Sequence, residues 1–137
     1  ERLGDFDFKL EEVVRFEGDT GPYVQYTNAR AQSILRKAGK PELDLTNLSI
    51  DDEQVWETEK LVANFSDIVR RAWRDREPSV IAKYALNLAR TFNKYYANSK
   101  ILVEDDQLNA RLALVTAVSN VLTESLRLLG VKAPQEM

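Results

Sequence analysis

Apolar residues recur with a helical period over most of the chain. Between Gly18 and Ala38, Val24, Thr27, Ala31, Leu35 and Ala38 fall at steps of three and four. That spacing gives one mainly apolar face. Pro22 stands where a first helical residue belongs, because its missing N–H is not needed there. Gly39 stands where the helix must stop. Upstream, Phe6, Phe8 and Leu10 alternate with Asp5, Asp7 and Lys9. Alternation predicts an extended strap over residues 1–19, with a frayed terminus as the other reading. Residues 40–50 carry Pro41 and Thr46-Asn47, and predict a loop pinned by Leu43, Leu45 and Leu48.

The remaining periodic stretches predict four more helices. One begins near Ser49 or Asp51, where Asp51, Asp52 and Glu53 favour its positive end, and reaches Ala63. Ser66 and Asp67 suggest a fresh cap for a helix over Asp67 to Asp75, with Ile68, Val69, Ala72 and Trp73 as its apolar side. Pro78 opens a helix running to about Asn98, with Ile81, Tyr84 or Ala85, Leu88, Phe92 and Tyr95 inward. The last helix spans about Asp105 to Leu129 and stops at Gly130; its wide apolar face makes it the central one. Trp56 and Trp73 are expected to be core rings. Connections this short predict an all-α antiparallel bundle of about five helices behind an extended N-terminal segment. The expected division is a strap at 1–19 and a helical domain at 20–137.

Composition narrows the chemistry more than the fold. The 137 residues are 44% apolar, enough for a real core. No apolar run approaches the roughly 20 residues of a membrane span, and no export signal opens the chain. There is no Cys and no His. That removes disulfides, thiolate metal sites, the commonest metal ligand and the commonest general base. Asp51-Asp52 and Asp105-Asp106 stand at expected helix starts, where they suit the dipole better than catalysis. Gly18-Asp19-Thr20-Gly21 lacks the lysine and the preceding strand of a phosphate loop. The net charge of −3 argues against a generic nucleic-acid binder. Its distribution softens that: residues 60–100 hold nine bases and three acids, a local +6. The chain starts at Glu1 in mid-pattern, so a longer parent is expected.

One stripe points to binding. On the helix opened by Pro22, Tyr23, Tyr26 and Arg30 lie within about 60° of one another. Two phenol rings and a guanidinium on one ridge suit a flat, anionic partner such as an unstacked nucleotide. Packing is the ordinary fate of such stripes, and spacing alone leaves both readings open.

The wording of the stretch then matters. Gly18-Asp19-Thr20-Gly21-Pro22-Tyr23-Val24-Gln25-Tyr26, Ala29-Arg30 and Ser33-Ile34-Leu35-Arg36-Lys37 resemble the opening of the anticodon-binding domain of arginyl-tRNA synthetases. Leu126 to Val131 followed by Ala133-Pro134 and Met137 resembles that family's ending. Ala110-Arg111-Leu112-Ala113-Leu114 resembles the short motif after which the domain type is named. The resemblance implies that Tyr23, Tyr26 and Arg30 meet the anticodon loop. Tyr96 best matches a further anticodon-contacting tyrosine, and Met137 a C-terminal methionine that reaches the same site. Glu136 replaces the usual arginine, and residues 97–102 lack an aromatic found in the family. Arg36, Lys37, Arg70, Arg71 and Arg74 are candidates for phosphate contacts, each with solvated surface charge as its alternative.

The resemblance further implies a partner, arginine tRNA, and a class I catalytic domain in the same parent chain. That parent joins arginine to its tRNA with ATP and Mg²⁺, as a cytoplasmic monomer. Neither of the class I catalytic signatures occurs here, so the fragment itself is expected to be non-catalytic and without cofactor or metal. The rival reading is a helical protein-interaction domain with no RNA partner.

Overall fold

The computed structural model describes Gly18 and residues 20–130. Five α-helices run through them: α1 Gly21–Lys37, α2 Trp56–Ala63, α3 Phe65–Asp75, α4 Ser79–Asn98 and α5 Leu108–Leu128. No strand occurs among the described residues. The all-α expectation holds, and the expected strap lies outside the described residues apart from Gly18.

Helix α5 is the central member. Leu112, Val115, Val118, Leu122 and Leu126 are buried along it, and α4 supplies Ile81, Tyr84, Ala85, Leu88, Phe92 and Tyr95. Helix α1 adds Val24, Ala31 and Ile34. A polar clamp lies between α1 and α5. Asn28, 1% exposed, donates from Nδ2 to Thr123 Oγ1 at 2.9 Å and accepts from Ser119 Oγ at 2.8 Å. Gln32 hydrogen-bonds the same Ser119 hydroxyl. Asn28 meets Thr123 and Gln32 meets Ser119, so the two helices run in opposite senses. Buried amides and hydroxyls tolerate few alternative partners, so this clamp selects one rotation of α1.

Several ends differ from the sequence expectation. The segment after the loop first makes a 3-10 turn at Glu53–Val55, with Asp52 accepting from the Gln54 N–H at 2.8 Å, and only then becomes α2. Helix α3 starts at Phe65, not Asp67, and no side chain caps it. Asn64 keeps near-helical angles, φ −87° and ψ −3°, so no break is needed where Ser66-Asp67 suggested one. Helix α5 starts at Leu108, not Asp105, because Asp105 is engaged in the turn before it. Gly39, at φ +81°, ends α1 as expected.

Two packing expectations fail. Trp56 is 60% exposed: Val55 and Thr58 turn inward, and the indole lies outside with the Lys60 ammonium 5.3 Å from its ring. Trp73 is only partly buried. Leu45 and Leu48 are exposed and do not pin the loop, while Leu43 and Ile50 pack against the core. Polar contacts hold the loop instead. The Asp44 N–H donates to Asn109 Oδ1 at 2.8 Å, and the Asp51 N–H donates to Gln107 Oε1 at 2.9 Å.

Arg111 locks the connection between α4 and α5. Its side chain is 8% exposed. Nε donates to the Ile101 carbonyl at 2.8 Å, and Nη2 donates to the Val103 carbonyl at 2.7 Å and to Asp105 at 2.8 Å. Ala110 and Leu112 beside it are buried. Arg111→Ala leaves the buried Ile101 carbonyl without a donor. It is expected to destabilise the domain by about 2–3 kcal/mol, read as a lower urea midpoint at unchanged m. The hydrogen bond from Arg111, then that from the Gln107 N–H, holds the Asp105 carboxyl below its ordinary value. A carboxyl depressed on folding contributes stability above its unfolded pKa, about 3.9, which is lost as pH falls through the folded value. Thermal melts of the native chain and Asp105→Asn should therefore differ near neutrality and converge in acid.

Candidate functional site

Helix α1 presents its aromatic ridge beside α4. Val24, Thr27, Asn28, Ala31 and Ile34 are buried under it, which leaves Tyr23, Tyr26 and Arg30 at the rim. Tyr23 is 38% exposed and Tyr26 52%. From α4, Phe92 and Tyr95 enter the core, and Tyr96, one position further round, is 41% exposed. The Tyr95 hydroxyl has no hydrogen-bond partner among the described residues, and burial pushes it up to about 12. The adjacent tyrosines therefore have opposite fates, and Tyr96 is the one at the surface.

Arg30 joins the two helices. Its guanidinium carbon sits 4.4 Å from the Tyr96 ring centroid and 5.5 Å from that of Tyr26. Nη1 donates to Asn93 Oδ1 at 2.8 Å. Among the described residues no carboxylate pairs with Arg30, and rings and a neutral amide hold the cation. Asn93 Nδ2 donates to the Tyr23 hydroxyl and to Thr27 Oγ1, both at 2.9 Å. The Thr27 hydroxyl in turn donates to the Tyr23 carbonyl at 2.9 Å. The result is a surface cluster in which one guanidinium lies over two exposed rings, Tyr26 and Tyr96, and the exposed Tyr23 is tied to it through the Asn93 amide. Such a surface can stack bases, donate hydrogen bonds and attract phosphate.

The structure thus brings together four residues singled out in the sequence: Tyr23, Tyr26, Arg30 and Tyr96. Met137 lies outside the described residues. Arg36 is half-buried and Lys37 exposed at the end of α1, six and seven residues beyond Arg30, roughly 10 Å along the axis. Arg70, Arg71 and Arg74 are exposed on α3. Arg70 pairs with Asp67, and Arg74 pairs with Asp75 at 3.0 Å. Helix α3 meets α4 through Phe65 stacked on Tyr84, twelve residues before Tyr96, or roughly 18 Å along α4. These three arginines therefore stand apart from the ring cluster. In the stretch that lacks the expected aromatic, Asn98 is turned back onto the Lys94 carbonyl at 2.8 Å, and Lys100 is exposed.

Asn93 escaped the sequence reading. Its signal was slight: a polar residue three before Tyr96, hence on the same face of α4, at the edge of an otherwise apolar stripe.

Comparison with known proteins points one way. A model of the DALR anticodon binding domain matches residues 24–137. The chain is 66% identical to an arginine–tRNA ligase of Lactiplantibacillus plantarum over 137 residues, all of this chain and 24% of that protein. It is 67% identical to an arginine–tRNA ligase of Leuconostoc mesenteroides, again over all of this chain and 24% of the relative. The chain thus spans about a quarter of these relatives' length. Among solved structures, it superposes on Thermus thermophilus arginyl-tRNA synthetase with a TM-score of 0.77 and 39% identity, over 96% of this chain and 23% of that one. Plasmodium falciparum arginyl-tRNA synthetase shares the fold at a TM-score of 0.72 and 23% identity, over 98% of this chain and 25% of that one.

The stacked guanidinium can be checked without RNA. Ring currents should shift the Arg30 δ-methylene protons upfield in the native chain, and Tyr96→Leu should move them back. A surface cation–π contact is worth about 0.5–1 kcal/mol, so the melting temperature should fall by only a few degrees. An unchanged Arg30 spectrum in Tyr96→Leu contradicts the stacked geometry.

Proposed function

The chain belongs to the DALR anticodon-binding domain family, and on that premise we propose that it reads the anticodon loop of arginine tRNA for a parent arginine–tRNA ligase. The observation that carries the proposal is Arg30, held across the faces of Tyr26 and Tyr96 with no carboxylate paired to it among the described residues. A tRNA anticodon offers what such a surface can take: unstacked planar bases next to phosphates.

In this mechanism the anticodon bases leave their stack and settle on Tyr23, Tyr26 and Tyr96. Arg30 donates to the edge of the central base, which the family resemblance implies is cytosine. Lys37 and Arg36, further along α1, are placed to follow the loop phosphates, which position without specifying sequence. Arg70, Arg71 and Arg74 would meet phosphates further from the rings. Met137 would pack its thioether on a base face. The catalytic step, joining arginine to tRNA with ATP and Mg²⁺, belongs to the remaining part of a cytoplasmic, monomeric parent chain. A protein-interaction role would seal the rings within an interface. Exposed rings beside a guanidinium without a carboxylate partner among the described residues favour nucleic acid over that alternative.

Stacking on one aromatic side chain is worth roughly 1–3 kcal/mol per base. In the full-length parent, Tyr26→Ala and Tyr96→Ala should each weaken binding of arginine tRNA roughly 5- to 100-fold. Binding should also fall steeply as salt rises. If Tyr23→Ala, Tyr26→Ala and Tyr96→Ala all left arginylation efficiency unchanged, the ring cluster would not be the anticodon site.

A further inference from the structure

We infer that Asn93 is a specificity-determining positioning residue: its amide fixes Arg30 and Tyr23 so that the site turns hydrogen-bond donors toward the base it reads. The inference rests on the anticodon reading above and names how that site discriminates.

The protons settle the orientation of the amide. The terminal atom of Asn93 that faces Arg30 Nη1 at 2.8 Å must be the oxygen, because a guanidinium only donates. The other terminal atom is therefore the NH₂ group. Its two hydrogens go to the Tyr23 hydroxyl and to Thr27 Oγ1. Thr27 can accept there because its own proton is committed to the Tyr23 carbonyl. Asn93 thus has no spare donor, and a flipped amide would set its NH₂ against the Arg30 guanidinium, donor against donor.

Two consequences reach the surface. The Tyr23 hydroxyl accepts from Asn93, so its own proton remains for an outside acceptor. Arg30 has one N–H spent on Asn93 and its remaining donors unclaimed among the described residues, with its guanidinium carbon 4.4 Å from the Tyr96 ring centroid. A base read by this face must offer adjacent acceptors. Cytosine does so through O2 and N3. Uracil sets an N3–H donor against the guanidinium. Without Asn93, Arg30 could swing to a phosphate, which supplies affinity with little base information.

The test uses the full-length parent and two transcripts of arginine tRNA, one with cytosine and one with uracil at the middle anticodon position. The native enzyme should prefer the first by roughly 5- to 150-fold, the span of one well-placed bidentate contact. Asn93→Ala should bring that preference to within about twofold of unity, while affinity for the uracil transcript changes little. Asn93→Asp keeps an acceptor for Arg30. It should hold the preference at lower absolute affinity, because a negative charge now faces the phosphates. If Asn93→Ala weakens both transcripts equally and leaves the preference intact, Asn93 is merely structural and the inference fails. Equal loss of preference in both variants also overturns it, because the acceptor at Arg30 would then not matter. A native enzyme that shows no preference overturns the anticodon reading itself, and the inference with it.

Discussion

The rotation of α1 about its own axis is the constraint on which the site depends. A turn of 100° per residue means that a small change in rotation moves a side chain from the rim to the core. Val24, Ala31 and Ile34 supply the apolar drive that points one face inward, but apolar contact alone is tolerant of rotation. The buried Asn28–Ser119–Thr123 clamp is not tolerant, because each group needs its particular partner. With α1 fixed this way, Tyr23, Tyr26 and Arg30 emerge on the side that meets α4. The same surface then receives Tyr96 and Asn93 from α4, 63 to 70 residues away in sequence.

Stability and recognition are divided between separate parts of the bundle. The connection between α4 and α5 and the loop after α1 are held by Arg111, Asp105, Gln107 and Asn109, which satisfy backbone groups. The Ala110-Arg111-Leu112 stretch that resembles the family's short motif is buried at this junction. Its arginine is a structural cation with its donors turned onto carbonyls and a carboxylate. Arg30 is the opposite case, a cation held by rings and one amide with no carboxylate partner among the described residues. The same residue type serves as a brace in one place and as a recognition group in the other, and the partners decide which.

What could be read from the sequence follows from the range of each interaction. The inward faces of α4 and α5 were legible because helical period alone fixes which residues share a side. The grouping of Tyr23, Tyr26 and Arg30 was legible for the same reason. Tyr96 needed the family resemblance, since periodicity places Tyr95 and Tyr96 side by side without saying which is buried. Asn93 was hidden because its role lies in bonds to another helix, which no local pattern encodes. Trp56, Leu45 and Leu48 were misread because bulk apolar character was taken as burial. Lys60 shields one face of the Trp56 ring, and polar contacts from Asp44 and Asp51 take over the anchoring expected of the leucines. Asp67 and Asp105 look like helix starts by residue type. The chain needed no new start at the first and used the second to bind Arg111.

The central claim is that splayed anticodon bases rest on the ring cluster where α1 meets α4. Photo-crosslinking tests it most directly, using an arginine anticodon stem-loop with 5-iodocytidine at the middle position and the full-length parent. The expected adducts fall on Tyr23, Tyr26 or Tyr96 and disappear under excess unlabelled stem-loop. Adducts confined to residues other than these three would contradict it.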